Sequence, residues 1–182
     1  NHEQMAWLAQ TYRCSSWMDF YLRNGGDKTL TQFGGDIDAL VSAMPAQVLE
    51  RLRGTQPVWH REGGLLFVHA GVNPAADPDA FLATPSDPEC PPCWFSEDLS
   101  PLWVRRGFYG DPTHTGPYAG PGGNPVLVVY GHTRIGSRDP EVIFSRIAED
   151  LESWRLPLDG TSSGFLPLAE ISGNAAKITL VP

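Results

Sequence analysis

Two histidines in the chain follow the same kind of sequence. The apolar run at residues 65–68 leads to His69, the apolar run at residues 126–130 leads to His132, and a glycine lies within two residues of each histidine. A wholly apolar run predicts a strand that is covered on both faces, and the glycines predict close approach of the backbone. In layered α/β proteins, ligands bind beyond the carboxyl ends of such strands. Because a neutral imidazole is a good ligand for a transition metal, the two histidines favour a metal site, and the alternative is two hydrogen-bonded histidines in loops.

Asn1 and His2 add an amide and a third imidazole to the groups that could act at such a site. Cys90 and Cys93 form a C-x-x-C pair, which suits a redox pair or one half of a zinc site. The third cysteine, Cys14, is distant in sequence from this pair. The favoured interpretation of the pair is therefore a proline-rich loop, and a zinc or redox module is the alternative.

Composition limits the class of protein. The chain has 182 residues, of which 41% are apolar, and a net charge of −8. This length and composition are typical of one globular domain. The negative charge disfavours non-specific binding of nucleic acid, and no apolar run approaches the roughly 18 residues of a membrane span. An odd number of cysteines predicts a reducing compartment, and we expect a cytoplasmic protein with neither a nucleic-acid nor a membrane partner.

The first third of the sequence has helical periodicity. Apolar residues over positions 3–22 predict one or two helices that stop at Asn24 and its two following glycines. A second pattern covers residues 37–52, with Asp36 as the expected N-cap. Since Pro45 lies inside this pattern, it predicts two short helices.

The rest of the sequence favours strands and loops. Residues 57–62 and 65–68 predict a hairpin around the glycines at 63 and 64. Residues 73–125 predict mostly loop, with a short helix near 79–83. The run at 126–130 predicts a strand, and further strands are predicted at 155–158, 165–171 and 176–181. Helices followed by strands indicate a layered α/β or α+β domain.

Three short motifs together resemble a known family. NHE at 1–3, LLFVHAGVNP at 65–74 and VLVVYGHT at 126–133 are similar to the later motifs of the calcineurin-like metallophosphoesterases, and of their bacterial serine/threonine protein phosphatase branch in particular. Three further segments fit the same branch: DFYLRNGGDKTLTQFG at 19–34, LWVRRGFY at 102–109 and RLPLDGTSSGFLPLAEI at 155–171.

The family motifs come in the order G-D-x-H-G, G-D-x-x-D-R-G, G-N-H-E, H-A-G and G-H-T. The printed sequence begins inside the third, and the Gly-Asp pairs at 35–36 and 110–111 are not interpreted as ligands. We therefore expect residues 1–182 to be the C-terminal portion of a single metallophosphoesterase domain. The implied fold is a four-layer α/β/β/α sandwich whose N-terminal part, in an upstream segment, is a partner of this chain.

The resemblance also implies a dinuclear metal centre. Asn1, His69 and His132 would be ligands of one divalent ion, and the ligands of the other would come from the upstream segment. Mn²⁺ is the expected metal, with Fe or Zn as alternatives.

The resemblance assigns further roles to individual residues. His2 would be the general acid that protonates the leaving alkoxide. Arg105, together with Asn1, would bind the substrate phosphate, and the neighbouring Arg106 is an alternative to Arg105.

The function implied is a hydrolase that cleaves phosphomonoesters with a hydroxide activated by two metals. The expected partner is a phosphorylated protein, dephosphorylated at serine or threonine, or a small phosphoester. One alternative is a symmetrical dinucleoside-tetraphosphate hydrolase. Another is a non-catalytic fragment, because activity would require the upstream segment.

Overall fold

The computed structural model describes most of the chain. The described residues are 1–54, 56–83, 100–104, 108, 114, 116–132, 136–159, 164–173 and 175–182. Within them the protein is a mixed α/β structure with a five-stranded mixed sheet and a separate two-stranded sheet. The expectation of an α/β class is therefore confirmed. No helix in this described part is both long and apolar enough to cross a membrane.

The first 52 residues form five short helices around a π-helical turn, Leu22–Gly26. The helices are α1 (His2–Tyr12), α2 (Ser15–Tyr21), α3 (Asp27–Gln32), α4 (Ile37–Ser42) and α5 (Ala46–Leu52). The break at Pro45 is confirmed, because that residue separates α4 from α5. Asp36 is confirmed as an N-cap, since its carboxylate accepts hydrogen bonds from the backbone of Asp38 and Ala39.

The predicted stop at Asn24 is only partly right. The chain leaves helical geometry at Asn24 and Gly25, where Gly25 has φ 88°, but it resumes directly as α3. Gly26 explains the close turn, because a Cβ there would lie 2.4 Å from the ring of Tyr21. The glycines therefore bend the helical segment without ending it.

Strand β4 lies at the centre of the larger sheet. The five strands are β1 (His60–Glu62), β2 (Leu65–Phe67), β3 (Tyr118–Ala119), β4 (Pro125–Tyr130) and β5 (Arg155–Pro157). β4 pairs in parallel with both β2 and β5, and antiparallel with the short β3. The predicted hairpin is confirmed, with β1 antiparallel to β2.

The periodicity of β4 places successive side chains on opposite faces. Val126, Val128 and Tyr130 belong to one buried cluster with Leu66 of β2, whereas Val129 belongs to a second cluster on the other face. β4 is thus covered on both faces, as its continuous apolar run predicts.

Two further helices accompany the sheet, α6 (Pro78–Leu82) and α7 (Pro140–Glu152). The helix expected near 79–83 is confirmed as α6, but α7 was not predicted. Its start follows the usual chemistry, because Asp139 is the N-cap and Pro140 the first helical residue. Ile143 and Ile147 face the sheet and are buried against Val129 and Leu156.

The last two strands, β6 (Leu166–Ser172) and β7 (Ala175–Val181), form an antiparallel hairpin of their own. Both were predicted within one or two residues of their bounds. Ala169, Ile178 and Leu180 of this hairpin pack against the cluster that contains α7.

Gly71 is a position where the fold requires glycine. Its φ is 147°, and a Cβ there would lie 2.3 Å from Cδ1 of Phe108. We expect Gly71→Ala to lower the free energy of unfolding by about 2–4 kcal/mol, through backbone strain and displacement of a buried ring. Urea denaturation would measure the change.

Gly64→Ala is the matched control for this substitution. No atom lies within 4 Å of a Cβ at Gly64, and no positive φ occurs there. We expect this variant to stay within about 0.5 kcal/mol of the wild type. Equal effects of the two substitutions would contradict the assigned role of Gly71.

Candidate functional site

Three residues that are far apart in sequence meet at one edge of the larger sheet. Nε2 of His69 lies 3.1 Å from Nδ1 of His132, and the amide nitrogen of Asn1 lies 3.2 Å from the same Nδ1. The two imidazole rings have centroids 4.9 Å apart and are tilted by 56°. Of the three groups predicted as ligands of one metal, His132 therefore contacts both of the others.

The parallel pairing of β2 with β4 explains why the two histidines meet. Both strands run in the same direction, so their carboxyl ends reach the same edge, and Leu66 is directly opposite Val128. The pairing continues beyond the strands, because the backbone N–H of Gly131 donates to the carbonyl of His69 at 2.9 Å. This bond joins the two histidine-bearing segments directly.

Helix α1 brings Asn1 to the same edge. Asn1 is its N-cap and accepts the hydrogen bond of the Met5 N–H through its carbonyl at 2.9 Å. The helix is held by its buried face and by a buried hydrogen bond from the indole N–H of Trp103 to the side-chain carbonyl of Gln4. Trp103 is a core residue, and its ring also meets that of His132 edge-on.

The two glycines near the histidines differ in their roles. Gly71 allows Phe108 to approach the backbone, as expected for a glycine at a site of close contact. Gly131 was expected to act in the same way, but a Cβ there would make only ordinary contacts, 3.7 Å from the carbonyl oxygen of His69. The unusual backbone at this end of β4 belongs to His132, whose φ is 62°. A non-glycine residue in this region is uncommon and costs free energy.

Burial keeps His69 uncharged. It lowers the pKa of His69 to about 3, and positive charge on His132 acts in the same direction. The carboxylate of Asp159 acts in the opposite direction and does not outweigh the burial. The side chain is thus a neutral imidazole near pH 7, which is the form that binds a metal.

The chemistry of these donors fits a transition-metal cation. Nδ1 of His132 lies within hydrogen-bond distance of both Nε2 of His69 and the amide nitrogen of Asn1, and a cation bound between these groups would replace the two hydrogen bonds. The oxygen and nitrogen of an asparagine amide are exchanged by a rotation of the side chain. Asn1 can therefore turn its oxygen, the atom that binds metals, toward the two histidines.

His2 occupies the first position of α1 and is exposed. It lies close enough to His69 for its charge to lower the pKa of that residue, after the larger effects described above. His2 also lines a cavity of about 460 Å³ together with Tyr21, Phe33 and Met44. The predicted acid is therefore next to the histidine pair and open to solvent.

Other predicted residues lie outside the part of the chain that the structure describes. These residues are Arg105, Arg106, Cys90 and Cys93. The Gly-Asp pair at 110–111 is outside it as well, whereas Asp36 of the other pair acts as a helix cap.

The two remaining histidines are not part of the cluster. His60 is exposed on β1. His114 is partly buried, with its ring stacked on that of Tyr118 at a centroid distance of 3.9 Å. Among the described residues no group of three or more His, Cys, Asp and Glu side chains is arranged to hold a metal.

Asp159 is a residue near the site that was not predicted. It follows β5, which is parallel to β4, and therefore lies at the same edge as the two histidines. The sequence does contain a signal for it, because an Asp-Gly pair follows the predicted strand at 155–158. An aspartate after a strand can be placed near the histidines only when it is known which strands pair with each other.

A second unpredicted group supports the segments that carry the histidines. Arg155 forms a 2.7 Å ion pair with Asp150 and donates to the carbonyl of Phe108 at 2.8 Å. The hydroxyl of Tyr130 donates to the other oxygen of Asp150 at 3.0 Å. Phe108 packs against Gly71, so this network connects the end of β4 with the segment that follows His69.

We find no match between this chain and any protein-family model, curated protein or solved structure. The likeness to metallophosphoesterases consequently depends on the short motifs and on the residues that they bring together.

The pKa of His69 predicts how stability changes with pH in the absence of metal. Below its ordinary pKa of 6.5 the unfolded chain takes up a proton at His69, whereas the folded chain does so only near pH 3. Protons therefore favour unfolding, and stability is lost as the pH falls from about 6.5 toward 3. We expect His69→Gln to remove on the order of 1–2 kcal/mol of the stability difference between about pH 7.5 and about pH 5.

Urea denaturation at the two pH values, in the presence of a chelator, would measure this difference. His60→Gln removes an exposed histidine and serves as the control. If His69→Gln and His60→Gln changed the pH dependence equally, the burial of His69 would not be its cause.

Proposed function

We propose that this chain carries part of the active site of a metal-dependent phosphoesterase of the calcineurin-like kind. Asn1, His69 and His132 hold one divalent cation, with Mn²⁺ as the expected metal and Fe or Zn as alternatives. The strongest support is that His132 lies 3.1 Å from His69 and 3.2 Å from Asn1. These residues are far apart in sequence, by 63 positions for the two histidines and by 131 for Asn1 and His132.

The donor set supports the same proposal. An amide oxygen and imidazole nitrogens are suitable ligands for first-row divalent metals, and burial keeps His69 in its neutral form. The site also lies beyond the carboxyl ends of parallel strands, the edge where α/β proteins bind ligands.

The bound cations would neutralise the phosphate and activate the attacking water. In this proposal the ligands of the second cation come from residues upstream of Asn1 in the same protein. Asn1 and Arg105 contact the phosphate, for which the planar guanidinium of Arg105 offers two parallel hydrogen bonds.

His2 has a separate role in the proposed reaction, as donor of a proton to the leaving alkoxide. An alkoxide is a poor leaving group near neutral pH, and a positioned acid contributes about 10²–10⁴-fold. The exposure of His2 and its position next to His69 are compatible with this role. The leaving group would then lie on the side of α1.

The finer architecture belongs to the same proposal. The two sheets of the chain would be part of an α/β/β/α sandwich, with α7 in one outer layer. The packing of α7, β5 and the β6–β7 hairpin into one apolar cluster supports this arrangement. The proposed substrate is a phosphoserine or phosphothreonine protein in the cytoplasm.

Metal binding tests the proposed ligands directly. We expect the 182-residue chain to bind one Mn²⁺ tightly, because Asn1, His69 and His132 form a single donor set. His69→Ala and His132→Ala should each weaken binding by more than about 100-fold. Electron paramagnetic resonance of free Mn²⁺ during a titration would measure both the stoichiometry and the dissociation constant.

His60→Ala is the control for this experiment, because His60 is exposed and lies on β1. Normal Mn²⁺ binding by His69→Ala would contradict the site. Two tightly bound Mn²⁺ per chain would contradict the proposal that the second cation needs upstream residues. Turnover of a phosphopeptide and of a dinucleoside tetraphosphate by the whole protein would then define the substrate class.

The role of His2 predicts a dependence on the leaving group. We expect His2→Ala to lower kcat/KM for phosphoserine peptides by about 10²-fold or more, because their alkoxide needs a proton. Hydrolysis of p-nitrophenyl phosphate should fall less than about 10-fold, since its leaving group needs little protonation. Steady-state kinetics of the whole protein on both substrates would give the comparison.

Glu3→Gln changes the neighbouring exposed side chain, which lines the same cavity, and is the matched control. Equal losses on the two substrates in His2→Ala would exclude His2 from the acid role.

A further inference from the structure

A third strand ends at the edge where the histidines meet. β5 is parallel to β4, with Val129 opposite Leu156 and Tyr130 opposite Pro157. The pairing continues for one more residue, because the N–H of Leu158 donates to the carbonyl of Tyr130 at 2.8 Å. The next residues on the two strands are Gly131 and Asp159, which are therefore neighbours.

The side chain of Asp159 lies on the side of the site. Its Cβ is 3.9 Å from the position that a Cβ would take on Gly131, the residue before His132. Its charge also reaches His69, whose pKa it raises against the larger effect of burial. The pairing of β4 with β5 and this short distance thus place the side chain of Asp159 beside the segment that carries His132.

The charge of the proposed ligands explains why the position of Asp159 matters for binding a cation. An amide and two neutral imidazoles carry no negative charge, so the Asn1–His69–His132 set cannot compensate the charge of a divalent cation. The nearby His2 adds positive charge when it is protonated, which opposes binding of a cation. A carboxylate at the end of the adjacent strand would supply the compensation.

We propose that Asp159 supplies the negative charge of the cation site formed by Asn1, His69 and His132. This inference depends on the proposed function, because it assumes that the three residues hold a divalent cation. It adds a residue from a third strand to that site, and carboxylate oxygen favours Mn²⁺ among the metals considered.

Mn²⁺ titration of the 182-residue chain tests this proposal without any assay of turnover. We expect Asp159→Asn, which keeps the size of the side chain and removes its charge, to raise the dissociation constant about 10-fold. The difference between wild type and variant should shrink at high salt, since ions partly screen a half-buried charge. Asp159→Glu should restore most of the affinity.

Glu170→Gln is the matched control, because it removes one negative charge from an exposed position on the β6–β7 hairpin. This variant should bind Mn²⁺ as the wild type does. Equal weakening by Glu170→Gln and Asp159→Asn would overturn the proposal, since net charge alone would then explain the effect. Wild-type affinity in Asp159→Asn would overturn it as well.

The failure of this proposal is distinguishable from that of the proposed function. If His69→Ala bound Mn²⁺ as tightly as the wild type, both would be wrong. If His69→Ala lost binding and Asp159→Asn did not, only the role of Asp159 would be wrong.

A second measurement requires no variant to fold. The ¹³C resonance of the Asp159 carboxylate in the wild type would be followed during addition of Zn²⁺. We expect it to shift, and an unchanged resonance would overturn the proposal.

Discussion

The parallel pairing of β4 with β2 and β5 is the interaction on which the rest of the structure depends. It aligns the carboxyl ends of three strands, so that His69, His132 and Asp159 reach one edge from distant parts of the sequence. The same strand is buried on both faces, and each fully buried aliphatic side chain contributes about 1.5–3 kcal/mol. The geometry of the site is thus fixed by the apolar core beneath it, and little of its precision depends on contacts between the polar groups themselves.

Burial changes the pKa of polar groups in and near the site. Burial maintains His69 as a neutral imidazole. Burial also raises the pKa of Asp150, against the opposing charge of Arg155 and the hydrogen bond from Tyr130. The opposite charges of Arg155 and Asp150 compensate each other in their ion pair, and Arg155 also donates to the carbonyl of Phe108. The carboxylate of Asp159 acts on the histidines instead, because its charge raises the pKa of His69 against the larger effect of burial.

Much of this arrangement could be predicted from the sequence, and the reasons are local. His69 and His132 follow apolar runs that predict buried strands, and Pro45 divides a helical pattern because it cannot donate a backbone hydrogen bond. Helix α7 was overlooked although Asp139 and Pro140 are typical of a helix start. The position of Asp159 near the histidines could not be predicted from the sequence. It depends on which strand pairs with β4, and pairing between distant strands has no local signal. The left-handed backbone of His132 could not be predicted either, because histidine adopts this region only somewhat more often than other non-glycine residues and the adjacent Gly131 adopts it at less cost.

The position of Trp103 has a consequence for spectroscopy. Its indole ring is buried, held by Gln4, and its centre lies 6.2 Å from that of the His132 ring. An excited indole transfers an electron readily to a protonated imidazole at this distance, and a paramagnetic ion bound to the imidazole would also shorten its excited state. We therefore expect the fluorescence lifetime of Trp103, one tryptophan among six, to change with the chemical state of His132, so that its emission would report on the histidine pair.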